Sequence, residues 1–117
     1  VTARDLLDAA WSLYRSDARS DRWWTRGVAL LARQAIEQAL REWARAEAPG
    51  VQAATFRAQL LCFASESGRT GADQAPYLWS RLSSACHFNG YELPPSGREL
   101  KRWLEATEPL LSTPGGR

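Results

Sequence analysis

One long apolar stripe constrains this chain more than any other feature. Trp24, Val28, Leu31, Ala32, Ala35, Ile36, Ala39, Leu40 and Trp43 recur at three- and four-residue steps, the spacing that lines one face of an α-helix. Ser20 or Asp21 offers an N-cap, and Pro49 with Gly50 is a stop signal, so the helix should end near Glu47. Such an element is on the order of 40 Å long at 1.5 Å per residue.

The flanking sequence supplies helices to pack against it. Thr2 with Asp5 has the form of a capping box, and Leu6, Leu7, Ala10, Leu13 and Tyr14 follow at helical spacing, predicting a helix over Ala3–Ser16 that SDARSD breaks. A third helix is predicted over Ala53–Ser65, with Phe56, Leu60, Leu61 and Phe63 as its apolar contacts and SESGRTG ending it. A fourth should begin around Ala72, with Pro76 in its first turn and Leu78, Leu82, Ala85 and Cys86 inward, and should end where Asn89 and Gly90 can turn left-handed. YELPP reads as extended, because a residue before proline is pushed out of the α region. Ser96 with Glu99 forms a second capping box ahead of Leu100, Trp103, Leu104, Thr107 and Leu111, and Pro109 should loosen the last turn.

No strand alternation, internal repeat or low-complexity linker interrupts this pattern. The expected fold class is all-α, a four- or five-helix, mostly antiparallel bundle. It forms a single domain over residues 1–111 with a disordered tail over residues 112–117. Leu31, Ala35, Ile36, Leu40, Leu60, Leu61, Leu82, Leu100 and Leu104 are expected to be buried together.

Composition narrows the setting. Six Trp supply much of the expected burial; adjacent Trp23 and Trp24 point about 100° apart on a helix, so both cannot point fully into the same core, and the pair reads as a wide buried face at a bundle end or, alternatively, as an aromatic anchor at a dimer or partner interface. Cys62 and Cys86 lack metal-ligand spacing and read as buried free thiols, and VTARDLLDAA has neither the basic start nor the apolar run of a signal peptide. A cytoplasmic protein is the expectation. No apolar run approaches the roughly 18 residues of a membrane span. The net charge of +2 carries no overall basic excess, although Lys101 is the only lysine among 15 basic residues. Pairs such as Glu37 with Arg41 read as an ordinary solvated helix face.

A single histidine cannot build a His-rich metal site, and phosphate-binding glycine loops, zinc-protease motifs and nucleophile elbows are absent from the sequence. No cofactor and no metal are expected. The residues left with chemistry in them are Arg81 and His87, with Ser83, Ser84 and Tyr91 in support. Six helical positions leave Arg81 and His87 about 120° apart, so they converge only if the helix unwinds near His87 or the arginine bends along the surface. A guanidinium that grips a phosphodiester beside an imidazole that moves a proton to or from a ribose hydroxyl is metal-independent RNA cleavage in outline. The plainer reading is that His87 caps a helix, stabilised by the carbonyl end of the dipole.

Two segments resemble the HEPN superfamily of small helical domains. WWTRGVALLARQAIEQALREW is similar to the long helix of that family, with Ala32, Gln34, Ala35, Glu37, Ala39 and Leu40 at the matching positions, and RLSSACHFNGYELPPSGRELKRWLEATEPLL is similar to its R-x4-6-H segment and last helix. The resemblance implies catalytic roles for Arg81 and His87, RNA as substrate, a homodimer that brings two motifs together, and an antitoxin or other protein as a further partner, with no membrane. Leu82 stands where active members commonly carry a polar residue, and Asn89 where some carry a modified tyrosine. Two functions are therefore open: a metal-independent endoribonuclease or toxin-type effector, and a non-catalytic interaction or ligand-binding module.

Overall fold

The computed structural model describes residues 1–87 and 93–112. Over these residues the chain forms α1 (Ala3–Tyr14), α2 (Trp24–Glu47), α3 (Phe56–Glu66), α4 (Ala75–Cys86) and α5 (Gly97–Thr107), and no strand. The fold is the all-α bundle that the periodicity predicts. Among the described residues no helix is long and apolar enough to cross a membrane.

Local side chains explain most helix ends. Thr2 and Ser96 accept from the backbone N–H of Asp5 and Glu99, whose carboxylates accept in return from the cap N–H groups, so both expected capping boxes form. Helix α1 stops two residues earlier than expected because Ser16 Oγ accepts from Ala18 N–H and starts a 3-10 turn over residues 17–20. That turn consumes Ser20, and Asp21 accepts from Trp23 N–H, so α2 starts at Trp24 without a side-chain cap. Helix α3 begins at Phe56 rather than Ala53, because Thr55 accepts from Ala58 N–H. A 3-10 turn over residues 72–74, entered through Gly71 at φ +77°, precedes α4 and leaves Pro76 in the first turn of that helix. Pro109 likewise falls in a 3-10 turn after α5. Helix α4 ends at Cys86 with His87 as its C-cap, short of the expected stop at Asn89 and Gly90; those two residues, Tyr91 and the tail from residue 113 lie outside the described residues.

Long-range hydrogen bonds give the helix directions. Ala3 N–H donates to Glu42 near the end of α2, while Trp24 Nε1 donates to Leu13 O, so α1 and α2 run antiparallel. Trp79 meets Glu37 and His87 meets Arg33, so α4 also opposes α2. Tyr14 Oη donates to Gly97 O and Arg4 reaches Glu108, which sets α5 against α1 in the same sense.

The face of α2 predicted to be apolar holds the centre of the core. Val28, Ala32, Ala35, Ile36 and Leu40 are fully enclosed, with Leu7, Phe63, Leu82, Leu100 and Leu104 packed around them. Two expectations need correction. Leu61 is 51% exposed, because α3 turns Leu60 and Phe63 inward and leaves Leu61 about 100° round the axis, and Leu31 on α2 is only partly buried at the edge of the core. Cys62 and Cys86 are free thiols, as expected, but half-buried at helix seams rather than enclosed. Of the tryptophan pair, Trp24 is buried and Trp23 is the outward-facing one at 56% exposure.

A second tie closes the bundle at the end of α5. Glu108 accepts from Arg4 Nη1 and Nη2 at 2.7 and 2.9 Å and from the Trp11 indole at 3.0 Å. These donors, Arg4 foremost, hold its carboxyl below the usual glutamate range.

Leu40→Ala should cost on the order of 2 to 5 kcal/mol in urea unfolding, and Leu61→Ala less than about 0.5 kcal/mol; equal losses would mean the α3 face is assigned wrongly. Because the folded pKa of Glu108 is depressed, its contribution is present above the ordinary glutamate value of about 4.3 and is lost as pH falls through the lower folded value. Glu108→Gln should therefore lower stability at pH 7, by up to about 1 kcal/mol for so exposed a pair, and narrow its gap to the parent protein in acid.

Candidate functional site

His87 is the C-cap of α4. Its N–H donates to Ser84 O at 3.1 Å and its φ of −118° takes the chain out of the helix, so the exposed ring sits where α4 ends. The ring does not meet Arg81 there. Arg33 of α2 takes that place, with Nη1 3.4 Å from His87 Nε2. Arginine can only donate, so in this contact Nε2 accepts and the ring proton belongs on Nδ1.

Arg33 is itself held from behind. Its Nε lies 3.6 Å from Glu37 Oε2, one turn along α2, and the same oxygen accepts from the Trp79 indole of α4 at 3.0 Å. The expected Glu37–Arg41 pair does not form, since Arg41 donates to Gln38 and Glu37 turns toward α4. The Arg33 and Glu37 side chains are only 20% and 23% exposed, so their interaction is less screened than that of a surface pair. Cys86 lies in the field of both. Burial pushes its thiol up, against the pull of Arg33 and with the push of Glu37, so it stays protonated at neutral pH and is a poor nucleophile.

Two buried polar atoms along this α2–α4 seam lack a hydrogen-bond partner: Arg33 Nε and Ser83 Oγ, the latter one turn before His87. Ser83 thus faces the α2 side with His87. Ser84 faces away from it, in a groove of about 580 Å³ between α4 and α5, together with Arg81, Glu99 and Trp103. The Arg81 guanidinium carbon stands 5.8 Å from the centre of the Trp103 ring. The expected pair is therefore divided between the two flanks of α4, as the 120° offset requires of a helix that keeps its form to Cys86. Tyr91 lies outside the described residues, and among those residues no cluster of metal ligands occurs.

The sequence reading missed Arg33, Glu37 and Trp79 as partners of His87. One signal was present: Arg33 and Glu37 are spaced i, i+4 on the border of the α2 stripe, where a long charged side chain can reach over onto a neighbouring helix.

The class this geometry defines is an all-α helical domain with a cationic, imidazole-bearing seam at the end of its fourth helix. Comparison of the chain with family models, with curated proteins and with solved structures finds no match in any of the three.

Glu37→Ala should destabilise the domain by about 1 to 3 kcal/mol, because it strips the half-buried Trp79 N–H of its acceptor and Arg33 of its ion-pair partner. Glu37→Gln keeps an acceptor for the indole and should cost less. Thermal unfolding of the two variants checks the order.

Proposed function

We propose that this domain is a metal-independent, HEPN-like endoribonuclease or toxin-type effector, with His87 as the proton-transfer group and Arg33 as the cation at the scissile phosphate. The observation that carries the reading is the 3.4 Å contact between an exposed imidazole and a guanidinium whose far side is fixed by Glu37. A phosphodiester competes well for that guanidinium, since charge-assisted bonds from Arg to phosphate are stronger than a bond to a neutral ring. Binding of the phosphate then releases His87 Nε2, whose lone pair takes the proton of the ribose 2′-hydroxyl. The 2′-oxygen attacks phosphorus, the bond to the 5′-oxygen breaks, and the leaving oxygen takes up a proton, giving a 2′,3′-cyclic phosphate and a free 5′-hydroxyl.

Each chain has one histidine, whereas this reaction uses a base and an acid. A homodimer that brings two His87 rings to one strand supplies both, and a two-fold arrangement is the commonest for such assemblies. Arg81, on the α5 flank of the same helix end, holds the adjoining part of the strand.

The rival reading, a non-catalytic interaction module, predicts no turnover. Labelled RNA should be cleaved by the purified protein with EDTA present, leaving cyclic-phosphate ends. His87→Ala should lose roughly 10²- to 10⁴-fold in rate while keeping its helical circular dichroism, and Arg33→Ala should lose activity with it. Intact cleavage by His87→Ala would end the assignment.

A further inference from the structure

Four arginines gather at the corner where α1 passes into α2, each over an aromatic ring. Arg15 stands 4.7 Å from the centre of the Trp11 ring, and Arg19 stands 4.8 Å from Tyr14 and 5.3 Å from Trp24. Arg22 and Arg26 both lie over Trp23, at 5.3 and 5.4 Å. Arg15, Arg19 and Arg22 are exposed and make no ion pair among the described residues. A guanidinium over a ring spends its face on the stack and keeps its edge N–H groups for an acceptor, held in a limited set of orientations.

This corner is continuous with the seam. Arg26 and Arg33 are seven residues apart on α2, on one face and separated by about 10.5 Å. Trp23 and Leu30 repeat the same spacing beside them, and Leu30 is also exposed. The stripe thus runs from Trp23 to the Arg33–His87 contact over about 15 Å. Two apolar side chains fall far short of the ~800 Å² per partner of a stable protein interface. Cationic edges interleaved with an exposed indole are instead what a single-stranded polynucleotide meets in its binding grooves, phosphates on the arginines and a base on the ring.

We infer that the α1–α2 corner is a docking track for single-stranded RNA, with Arg22 on the phosphates and Trp23 stacked on a base, leading the strand to Arg33 and His87. The inference deepens the proposed function and rests on it for the fate of the strand, but the binding can be measured separately. A 2′-O-methyl strand has no nucleophile to react, so it reports binding alone. For a fluorescein-labelled 2′-O-methyl single strand of about twelve nucleotides, within the range such sites span, anisotropy should give weaker binding by Trp23→Ala, by roughly 5- to 100-fold. Trp23→Phe should recover most of that loss. Arg22→Ala should weaken binding and reduce the slope of log affinity against log salt by about 0.7, the value of one phosphate contact on a single strand. Arg22 and Trp23 are exposed, so unchanged thermal melting is expected of these variants and checks that the losses are local.

Binding that is unchanged in Trp23→Ala and Arg22→Ala overturns the track, as does a parent protein that binds no strand or prefers the matching duplex. If the parent cleaves ribose RNA while these variants bind normally, the track falls and the nuclease reading stands. If binding depends on Trp23 and Arg22 but ribose RNA is never cut, the track stands and the nuclease reading falls.

Discussion

Everything in this fold depends on the burial of one face of α2. That helix packs against each of the other four, and its enclosed residues from Val28 to Leu40 are small or medium-sized, so neighbouring backbones come close. At Gly27 an α1 side chain comes in close, for a Cβ there would lie 2.8 Å from Leu13 Cδ2. The large aromatic residues sit toward the ends of this face, Trp24 at one and Trp43 at the other, with Trp43 edge-on to Phe63 at 5.4 Å between ring centres. Burial of this apolar area is the main source of stability, and the polar ties decide which arrangement of helices forms.

The ties stand at the edges of the apolar face. Glu42 takes the Ala3 N–H, Glu37 takes the Trp79 indole, and Glu108 gathers Arg4 and Trp11. Each fixes the register of a helix pair, because a half-buried carboxylate left without its donors costs more than the bond contributes when made. The candidate site is a product of one such tie. Glu37 locks α4 against α2 through Trp79 and in the same contact set orients Arg33, whose other end then meets His87. The group that fixes the packing is thus the one that aims the cation.

Individual residues show how far the sequence could be read. The stripe on α2, the two capping boxes and the first-turn place of Pro76 were legible, since each follows from helix geometry over a few neighbouring residues. The start of α2 was not. Ser20 has the right chemistry for a cap, but the 3-10 turn begun by Ser16 uses that residue first. Leu61 was misassigned because α3 is apolar on more than one side, and which side is covered depends on where α2 and α4 stand.

The sequence by itself determined the fold class and the setting of His87, because periodicity and caps act within one helix. It also determined that Arg81 and His87 diverge by about 120° while the helix between them holds. Only the tertiary structure decided which cation meets the imidazole. Arg33 and His87 are 54 residues apart, and a contact of that range exists only once antiparallel packing lays the middle of α2 beside the end of α4. Helical spacing sets Trp23 and Leu30 beside Arg26 and Arg33 on α2, but only the packing decided that Trp23 and Leu30 stay uncovered and that His87 stands at Arg33.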